Sequence, residues 1–184
     1  GSRAYNPQQV ALICERLAPH NALATEIAYT AGLRAHELLT LQPRSERTPD
    51  PRPALPTKFE GREDGSRYVV TGKGGLIREV QLPSHLAARL EAQRLATPRP
   101  VTDRHVYYQQ HYAIGGGQPW SMAVSRAAKA ALGWSTGAHG LRHAYAQERV
   151  TELQTLEHSQ KVANETVSQE LGHFRPEITT TYLR

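Results

Sequence analysis

The sequence is poor in cysteine, in acidic residues and in long apolar segments. Its single cysteine, Cys14, excludes an internal disulfide framework and a zinc finger built on cysteines. No apolar run approaches the length of a membrane span and no signal peptide is visible, so no membrane partner is expected. A hydrophobic content of 39% still allows a packed core and excludes a largely disordered chain.

The charge is basic and unevenly distributed. Lys plus Arg number 22 and Asp plus Glu 17, which gives a net charge of +5. The excess lies in residues 84–146, with seven basic and two acidic residues, whereas residues 147–184 have four basic and six acidic. Eighteen of the 22 basic residues are arginines, whose planar fork suits phosphate. Composition alone leaves two readings open, a solvated basic face and a polyanion partner.

The length of 184 residues fits one domain. Gly1-Ser2 resembles the scar of a cleaved tag, so we predict a single domain over residues 3–184. Residues 42–56 contain five prolines interleaved with charges and are predicted to be a loop.

The predicted fold class is mainly α with a small antiparallel β-sheet (α+β). Apolar spacing and capping residues predict helices, and alternation predicts a hairpin closed by Gly72–Gly75. The helices are expected at 7–17, 22–31, 34–41, 84–96, 121–132, 138–153 and 160–171, with a short last one from Pro176. Strands are expected at 67–71 and 77–82, a third strand at 55–60, and irregular chain at 97–120.

Four separated segments each place a phosphate-competent group at a structural edge. In Thr30-Ala-Gly-Leu-Arg-Ala-His-Glu-Leu38, we expect Arg34 at the start of a helix and Glu37 on the same side, able to brace the guanidinium. Lys73 lies at the tip of the hairpin between glycines that allow close approach of a ligand. Taken alone, the first segment is better explained as a surface Arg–Glu pair, and a solvated turn lysine is a common explanation of the second.

The third segment is His139-Gly140-Leu141-Arg142-His143. At helical spacing, His139 and Arg142 could converge on one phosphate. His139 and His143 could instead bind zinc with His173 as third ligand, although a Gly follows the first His where metalloproteases have Glu. The fourth segment is Leu171-Gly172-His173, followed nine positions later by Tyr182.

Together and in this order, the segments resemble the tyrosine recombinase (phage integrase) family. That family has an Arg in a TGLRxxEL segment, a hairpin Lys, an HxLRH segment, LGH, and a Tyr nine residues after that His. Here the sequence has TAGLRAHELL, TGKGG, HGLRH, LGH and a terminal Tyr182. The resemblance spans residues 34–182, nearly the whole chain.

The resemblance implies a role for each matching residue. Tyr182 would be the nucleophile, and Arg34 and Arg142 would clamp the scissile phosphate of double-stranded DNA. Lys73 would protonate the leaving 5′ oxygen, and His139 would accept the proton of the tyrosine. The remaining three are expected to assist: His173 by a hydrogen bond to the phosphate, Glu37 by orienting Arg34, and His143 as a supporting residue.

This set of residue types suits strand transfer without ATP, metal or another cofactor. Two arginine forks and an imidazole N–H can stabilise the charge of a five-coordinate phosphorus transition state. A tyrosine hydroxyl, with a pKa of about 10, needs a base or the field of the arginines to attack. A 3′-phosphotyrosyl bond retains the energy of the broken linkage, so a second 5′-hydroxyl can rejoin the strand.

The sequence also departs from the family pattern. The 31 residues from Arg142 to His173 suggest an insertion at 150–165, and the proline-rich stretch 42–56 is another. Because family members usually have a preceding helical domain and a segment after the tyrosine, we expect a catalytic fragment with weak, salt-sensitive DNA binding. The resemblance further implies a tetrameric synapse for the full-length protein and a cytoplasmic, bacterial nucleoid-associated location.

Three alternatives remain open at the level of sequence. A type IB topoisomerase shares the Tyr, Arg, Lys and His chemistry and would relax plasmid without joining two sites. A recombinase-like module could hold DNA without cleaving it. A zinc hydrolase would contain stoichiometric metal. The leading prediction is a site-specific DNA recombinase, the integrase of a mobile element.

Overall fold

The computed structural model describes residues 2–173, which form helices, two small antiparallel sheets and short 3₁₀ turns. The helices are α1 (Pro7–Glu15), α2 (Pro19–Ala31), α3 (Ser84–Glu91), α4 (Gly117–Leu132), α5 (His139–Thr155) and α6 (Gln160–Glu170). The strands are β1 (Gln42–Pro43), β2 (Gly65–Thr71), β3 (Ile77–Pro83), β4 (Arg94–Asp103) and β5 (Val106–Tyr112). The predicted α+β class is therefore confirmed, whereas the helix predicted from Pro176 lies outside the described residues.

Helix boundaries follow local capping where the sequence contains the right residues. Asn6 caps α1 in a reciprocal arrangement with Gln9: the Gln9 N–H donates to Asn6 Oδ1 at 2.8 Å, and the Asn6 N–H donates to Gln9 Oε1 at 2.9 Å. Gly32 ends α2 and Gly133 ends α4, both in the left-handed conformation that glycine adopts without strain. These boundaries agree with the sequence predictions.

The first sheet has the order β1–β2–β3 and is antiparallel throughout. β2 pairs with β3 from Gly65 opposite Pro83 to Thr71 opposite Ile77, and the 3₁₀ turn Lys73–Gly75 connects the two strands. The predicted hairpin is confirmed, but the third strand is the short β1 rather than residues 55–60. Residues 56–61 form turns instead, and Phe59 has a positive φ of 60° that no strand accommodates.

A second sheet, the β4–β5 hairpin, occupies the region predicted to be irregular. Pairing runs from Arg94 opposite Tyr112 to Asp103 opposite Val106, with a register shift between Arg94 and Arg99. Prolines in β4 conceal the strand in the sequence, because proline is tolerated only where a strand lacks a partner on one side. Because the chain from Arg94 onward pairs with β5, α3 ends at Glu91 instead of continuing to residue 96.

The sequence predicts Ser84 and Ser121 as the capping residues of two helices, and both of these predictions are wrong. Ser84 is the first residue of α3 and Pro83 takes the capping position. α4 begins at Gly117, four residues before Ser121, because the Asp103 carboxylate at the end of β4 accepts the Gln118 N–H at 2.9 Å. A long-range carboxylate thus replaces the predicted local cap.

The predicted helix over 34–41 is reduced to the 3₁₀ turn Glu37–Leu39. All three residues of this turn are buried, and a short helix exposed on one side cannot bury three successive side chains. The turn ends where the Thr40 hydroxyl donates to the Glu37 carbonyl at 2.8 Å. Arg34 consequently lies in the link between α2 and this turn.

The buried apolar side chains form a large and a small cluster. The large cluster contains residues from α1 to the beginning of α5, including Leu141. The small cluster joins the rest of α5 to α6: Tyr145, Ala146, Val150, Leu153, Ala163, Val167 and Leu171. Helix α5 is therefore shared between the two clusters.

A buried ion pair fastens α6 to α5. Arg149 donates to both carboxylate oxygens of Glu170, at 2.9 and 2.8 Å, and both side chains are inaccessible to solvent. Glu170 also accepts the Tyr145 hydroxyl at 2.7 Å and the Phe59 N–H at 2.8 Å. Four donors therefore satisfy one carboxylate, as burial of a charge requires.

No helix within residues 2–173 is long and apolar enough to cross a membrane.

Candidate functional site

A cleft of about 830 Å³ opens between the first sheet, the β4–β5 hairpin and the start of α5. Four residues predicted from the sequence line it: Arg34, Lys73, His139 and Arg142. They come from three separate parts of the chain: Arg34 follows α2, Lys73 lies between β2 and β3, and His139 and Arg142 occupy the first turn of α5. The fold thus brings three separated motifs to one opening.

At one side of the cleft, two arginines converge on a histidine. Nη2 of Arg34 lies 3.2 Å from Nε2 of His173, and Nη2 of Arg142 lies 3.4 Å from the same atom. Because guanidinium nitrogens only donate, we assign Nε2 as the acceptor and Nδ1 as the protonated nitrogen. The spacing places three nitrogen groups where one anion can be bound by all of them.

The protonation state of His173 follows from this environment. Partial burial, together with the charges of Arg142, Arg34 and Arg78, lowers the pKa of the His173 imidazole to about 4. The ring is therefore neutral near pH 7, and its proton is available as a hydrogen-bond donor if the ring turns toward an anion.

Arg142 is held by the ends of two helices. Its Nη1 donates to the carbonyl of Gly32 after α2, and its Nη2 donates to the carbonyl of Leu171 after α6 at 3.3 Å. Helix C-termini present unpaired carbonyls and partial negative charge, which favour a cation. The side chain is 1% exposed, so its orientation is set by the fold.

Glu37 lies beneath the arginines and is completely buried. It accepts the Arg34 backbone N–H at 2.8 Å, and its carboxylate lies 3.6 Å from the Arg34 guanidinium and 3.8 Å from that of Arg142. Burial alone would raise the pKa of Glu37, but Arg78 and Arg142, the Arg34 N–H and the Arg34 charge outweigh burial and lower the pKa. Glu37 is thus ionised and lies within ion-pair distance of the Arg34 guanidinium.

Arg78 is a residue of this cluster that the sequence analysis did not identify. It donates to both carboxylate oxygens of Glu37, at 3.2 and 3.1 Å. A signal was present in the sequence: Arg78, Val80 and Leu82 alternate along β3, so that Arg78 shares the core-facing side with two apolar residues. A buried arginine on the apolar side of a strand requires a carboxylate partner.

Lys73 and His139 both lie exposed at the mouth of the cleft. Lys73 is exposed at the β2–β3 tip, and the structure gives its ammonium no hydrogen-bond partner among residues 2–173. His139 is the first residue of α5, where partial burial and the charges of Arg142, Arg3 and Arg34 lower its pKa, so the imidazole is a neutral proton acceptor.

The β4–β5 hairpin supplies a wall of the cleft that was not foreseen. Its lining residues include Arg104 at the turn and Tyr107, Gln109 and His111 on alternate positions of β5. Three tyrosines within the seven residues of β5 were the available signal for a strand.

The remaining predicted residues have separate outcomes. His143 is buried within α5 and does not line the cleft. His139, His143 and His173 do not form a metal-binding group, and no such group of three or more His, Cys, Asp or Glu exists among the described residues. The zinc ligand set considered from the sequence is therefore not assembled in the described part of the chain. Tyr182 lies outside the described residues.

Comparisons with known proteins give a fold and no sequence relative. No family model matches the sequence, and no curated protein matches it. Among solved structures, it resembles the XerH site-specific recombinase bound to palindromic difH substrate in a post-cleavage complex, with a TM-score of 0.61, 18% identity and coverage of 99% of this chain and 49% of that one. The pre-cleavage complex of XerH with difH substrate gives a TM-score of 0.59 at 18% identity, over 99% of this chain and 50% of that one.

A lambda integrase dimer bound to a COC′ core site gives a TM-score of 0.57 at 18% identity, over 100% of this chain and 48% of that one. The chain thus spans about half the length of the recombinases that it matches. It has the fold of a tyrosine recombinase catalytic domain.

Proposed function

We propose that this chain is the catalytic domain of a site-specific DNA recombinase that cleaves and rejoins strands through a phosphotyrosyl intermediate. The observation that carries the proposal is the convergence of Arg34, Arg142 and His173 around one point beside the cleft, with nitrogen separations of 3.2 and 3.4 Å. The recombinase fold supports it, as do the DNA complexes of the proteins that share this fold.

In this mechanism, a phosphodiester enters the cleft and its non-bridging oxygens displace the imidazole as acceptors of the two guanidinium groups. The Tyr182 oxygen attacks phosphorus, its proton passes to the neutral imidazole of His139, and the bond from phosphorus to the 5′ oxygen breaks. Lys73 protonates that oxygen at the solvent-facing side of the cleft. Attack by a second 5′-hydroxyl reverses these steps and frees Tyr182.

The arginines contribute most by stabilising charge that develops in the transition state. Removal of one such preorganised donor slows a reaction by about 10²–10³-fold. Because the carbonyls of two helix ends already orient Arg142, and the Arg34 guanidinium lies 3.6 Å from the Glu37 carboxylate, little reorganisation accompanies phosphate binding. Neither ATP nor a metal is required for the exchange of one phosphodiester for another. A cytoplasmic, nucleoid-associated location is part of the same proposal.

The proposal is tested by covalent trapping on a pool of nicked duplexes of random sequence. After denaturation in SDS, the wild-type protein is expected to give a DNA-shifted band that Tyr182→Phe lacks. Tyr29→Phe is the matched control, because Tyr29 lies outside the cleft and donates to Glu148. Sequencing of the trapped DNA then identifies the preferred site.

The competing functions give different results in related assays. A DNA-binding module would bind the duplex pool and give no adduct, even when the full-length protein is used. A topoisomerase would relax supercoiled plasmid and would not join two sites placed on separate duplexes. Adduct formation followed by joining of two sites supports the recombinase, and a tetrameric synapse would then be expected for the full-length protein.

A further inference from the structure

Three arginines surround the buried carboxylate of Glu37 at unequal distances. Arg78 binds both carboxylate oxygens, at 3.1 and 3.2 Å. The guanidinium nitrogens nearest to the carboxylate are further away for Arg34 and Arg142, at 3.6 and 3.8 Å, beyond the usual length of a charge-assisted hydrogen bond. The carboxylate is therefore bound by Arg78 and merely flanked by the two arginines that reach the cleft.

Arg78 is also in contact with the turn that carries His173. A Cβ atom added to Gly172 would lie 2.8 Å from Cδ and 2.9 Å from Nε of Arg78, so the chain just before His173 packs directly on this side chain. Arg78 does not line the cleft that contains Arg34 and Arg142. It therefore acts behind the anion site rather than in it.

We propose that Arg78 is a positioning residue of the phosphate site: it occupies the Glu37 carboxylate, so that Arg34 and Arg142 stay available to a bound phosphate. The inference deepens the proposed function and rests on it only in identifying the anion as a DNA phosphate. Three guanidinium groups and one carboxylate leave two positive charges for the ligand.

The proposal follows from the behaviour of a buried carboxylate. An ionised carboxylate without a partner is strongly disfavoured in a protein interior, so it recruits whatever cation is near. Without Arg78, the carboxylate of Glu37 would draw in the guanidinium groups of Arg34 and Arg142 and compete with the phosphate for the same N–H donors. Neutralising Glu37 as well removes this competition.

The test measures binding of inorganic phosphate through the ring resonances of His173 in NMR spectra, assigned with His173→Asn. Arg78→Gln is expected to weaken binding about tenfold, the loss of one hydrogen bond to a charged group. The double variant Glu37→Gln/Arg78→Gln is expected to return to within about threefold of the wild type, because glutamine still accepts the Arg34 N–H but no longer attracts the guanidinium groups.

Arg62→Gln is the matched control, since Arg62 also binds a carboxylate with two nitrogens, that of Glu152 at 2.9 and 2.6 Å, but lies outside the cleft. It is expected to lower stability and leave phosphate affinity unchanged. Circular dichroism and urea unfolding report folding for every variant. If Arg78→Gln does not fold, Arg78→Lys replaces it, with a smaller loss of affinity because lysine keeps the charge without the fork.

The rescue by the second substitution separates positioning from mere structural support. Equal loss of affinity in the single and double variants would overturn the proposal, and so would a wild-type protein whose His173 resonances do not respond to phosphate. Trapping of DNA on Tyr182 is scored separately. Absence of the adduct with the expected order of phosphate affinities would refute strand cleavage and leave the role of Arg78 supported.

Discussion

His173 is expected to make the folded protein less stable as the pH falls below neutrality. Partial burial, with the charges of Arg142, Arg34 and Arg78, lowers the pKa of its imidazole from 6.5 to about 4. The unfolded chain takes up a proton as the pH falls through 6.5, and the folded protein does not do so until the pH nears 4. Stability contributed by the neutral ring is complete above pH 6.5 and is lost progressively between these values.

The size of this effect follows from the change in the pKa of the His173 imidazole. A change of pKa from 6.5 to about 4 corresponds to about 3 kcal/mol for a fully shielded group. Because the ring is partly exposed, solvent screening reduces the figure to about 2 kcal/mol. Roughly half of it, about 1 kcal/mol, is lost on moving from pH 7.5 to pH 5.

Urea unfolding of the wild type and His173→Asn near these two pH values measures the contribution. The free energy of unfolding of the wild type should fall by about 1 kcal/mol more than that of the variant. His36 and His139, whose pKa values are also lowered mainly by burial, are present in both proteins and cancel in the difference. Identical pH dependences would show that His173 is not held neutral by its surroundings.

Three further predictions concern other parts of the molecule. Gly32→Ala should destabilise the protein by about 2–4 kcal/mol in urea unfolding, because a Cβ atom there would lie 2.7 Å from Cδ2 of Leu171. Gly133→Ala is the control: it has a similar φ but open space around the added Cβ, and it should cost only about 1 kcal/mol. Glu170→Gln should lower the free energy of unfolding by about 3–5 kcal/mol in the same assay, whereas Glu157→Gln, at an exposed position, should lower it by less than about 0.5 kcal/mol. Equal losses would show that the buried ion pair does not stabilise the fold. Lys73→Ala should slow covalent trapping on normal DNA by about 10²–10⁴-fold. The loss should be much smaller on DNA whose leaving 5′ oxygen is replaced by sulfur, because a thiolate leaves without a proton. An equal loss on both substrates would contradict proton donation by Lys73.

The sequence predicts those site residues whose positions depend on local structure. Gly32 ends a helix in the left-handed conformation, and Arg34 therefore leaves α2 at a defined point. Lys73 lies at a hairpin tip because two alternating segments flank a glycine-rich turn. His139 and Arg142 share the first turn of one helix. Spacing and capping suffice for these placements, and the ordered motifs identify the fold that the structural comparisons confirm.

The features that were missed depend on contacts between distant segments. Arg78 reaches the site only because β3 packs on the turn that contains Glu37, its carboxylate partner 41 residues away in sequence. The start of α4 is set by Asp103 across the β4–β5 hairpin. The hairpin itself is obscured by prolines that strand propensity disfavours. Long-range hydrogen bonds of this kind leave little trace in local periodicity.

The division of the interior into two clusters has a consequence for how the site can fail. Arg34 follows a helix of the large cluster, whereas His173 follows α6, which belongs to the small cluster of seven side chains. Warming that undocks α6 before the rest of the domain melts would separate His173 from both arginines while the cleft keeps its walls. The domain would then pass through a folded form in which the Arg–His cluster has come apart, and the proposed strand cleavage would be lost on heating before most of the helical structure.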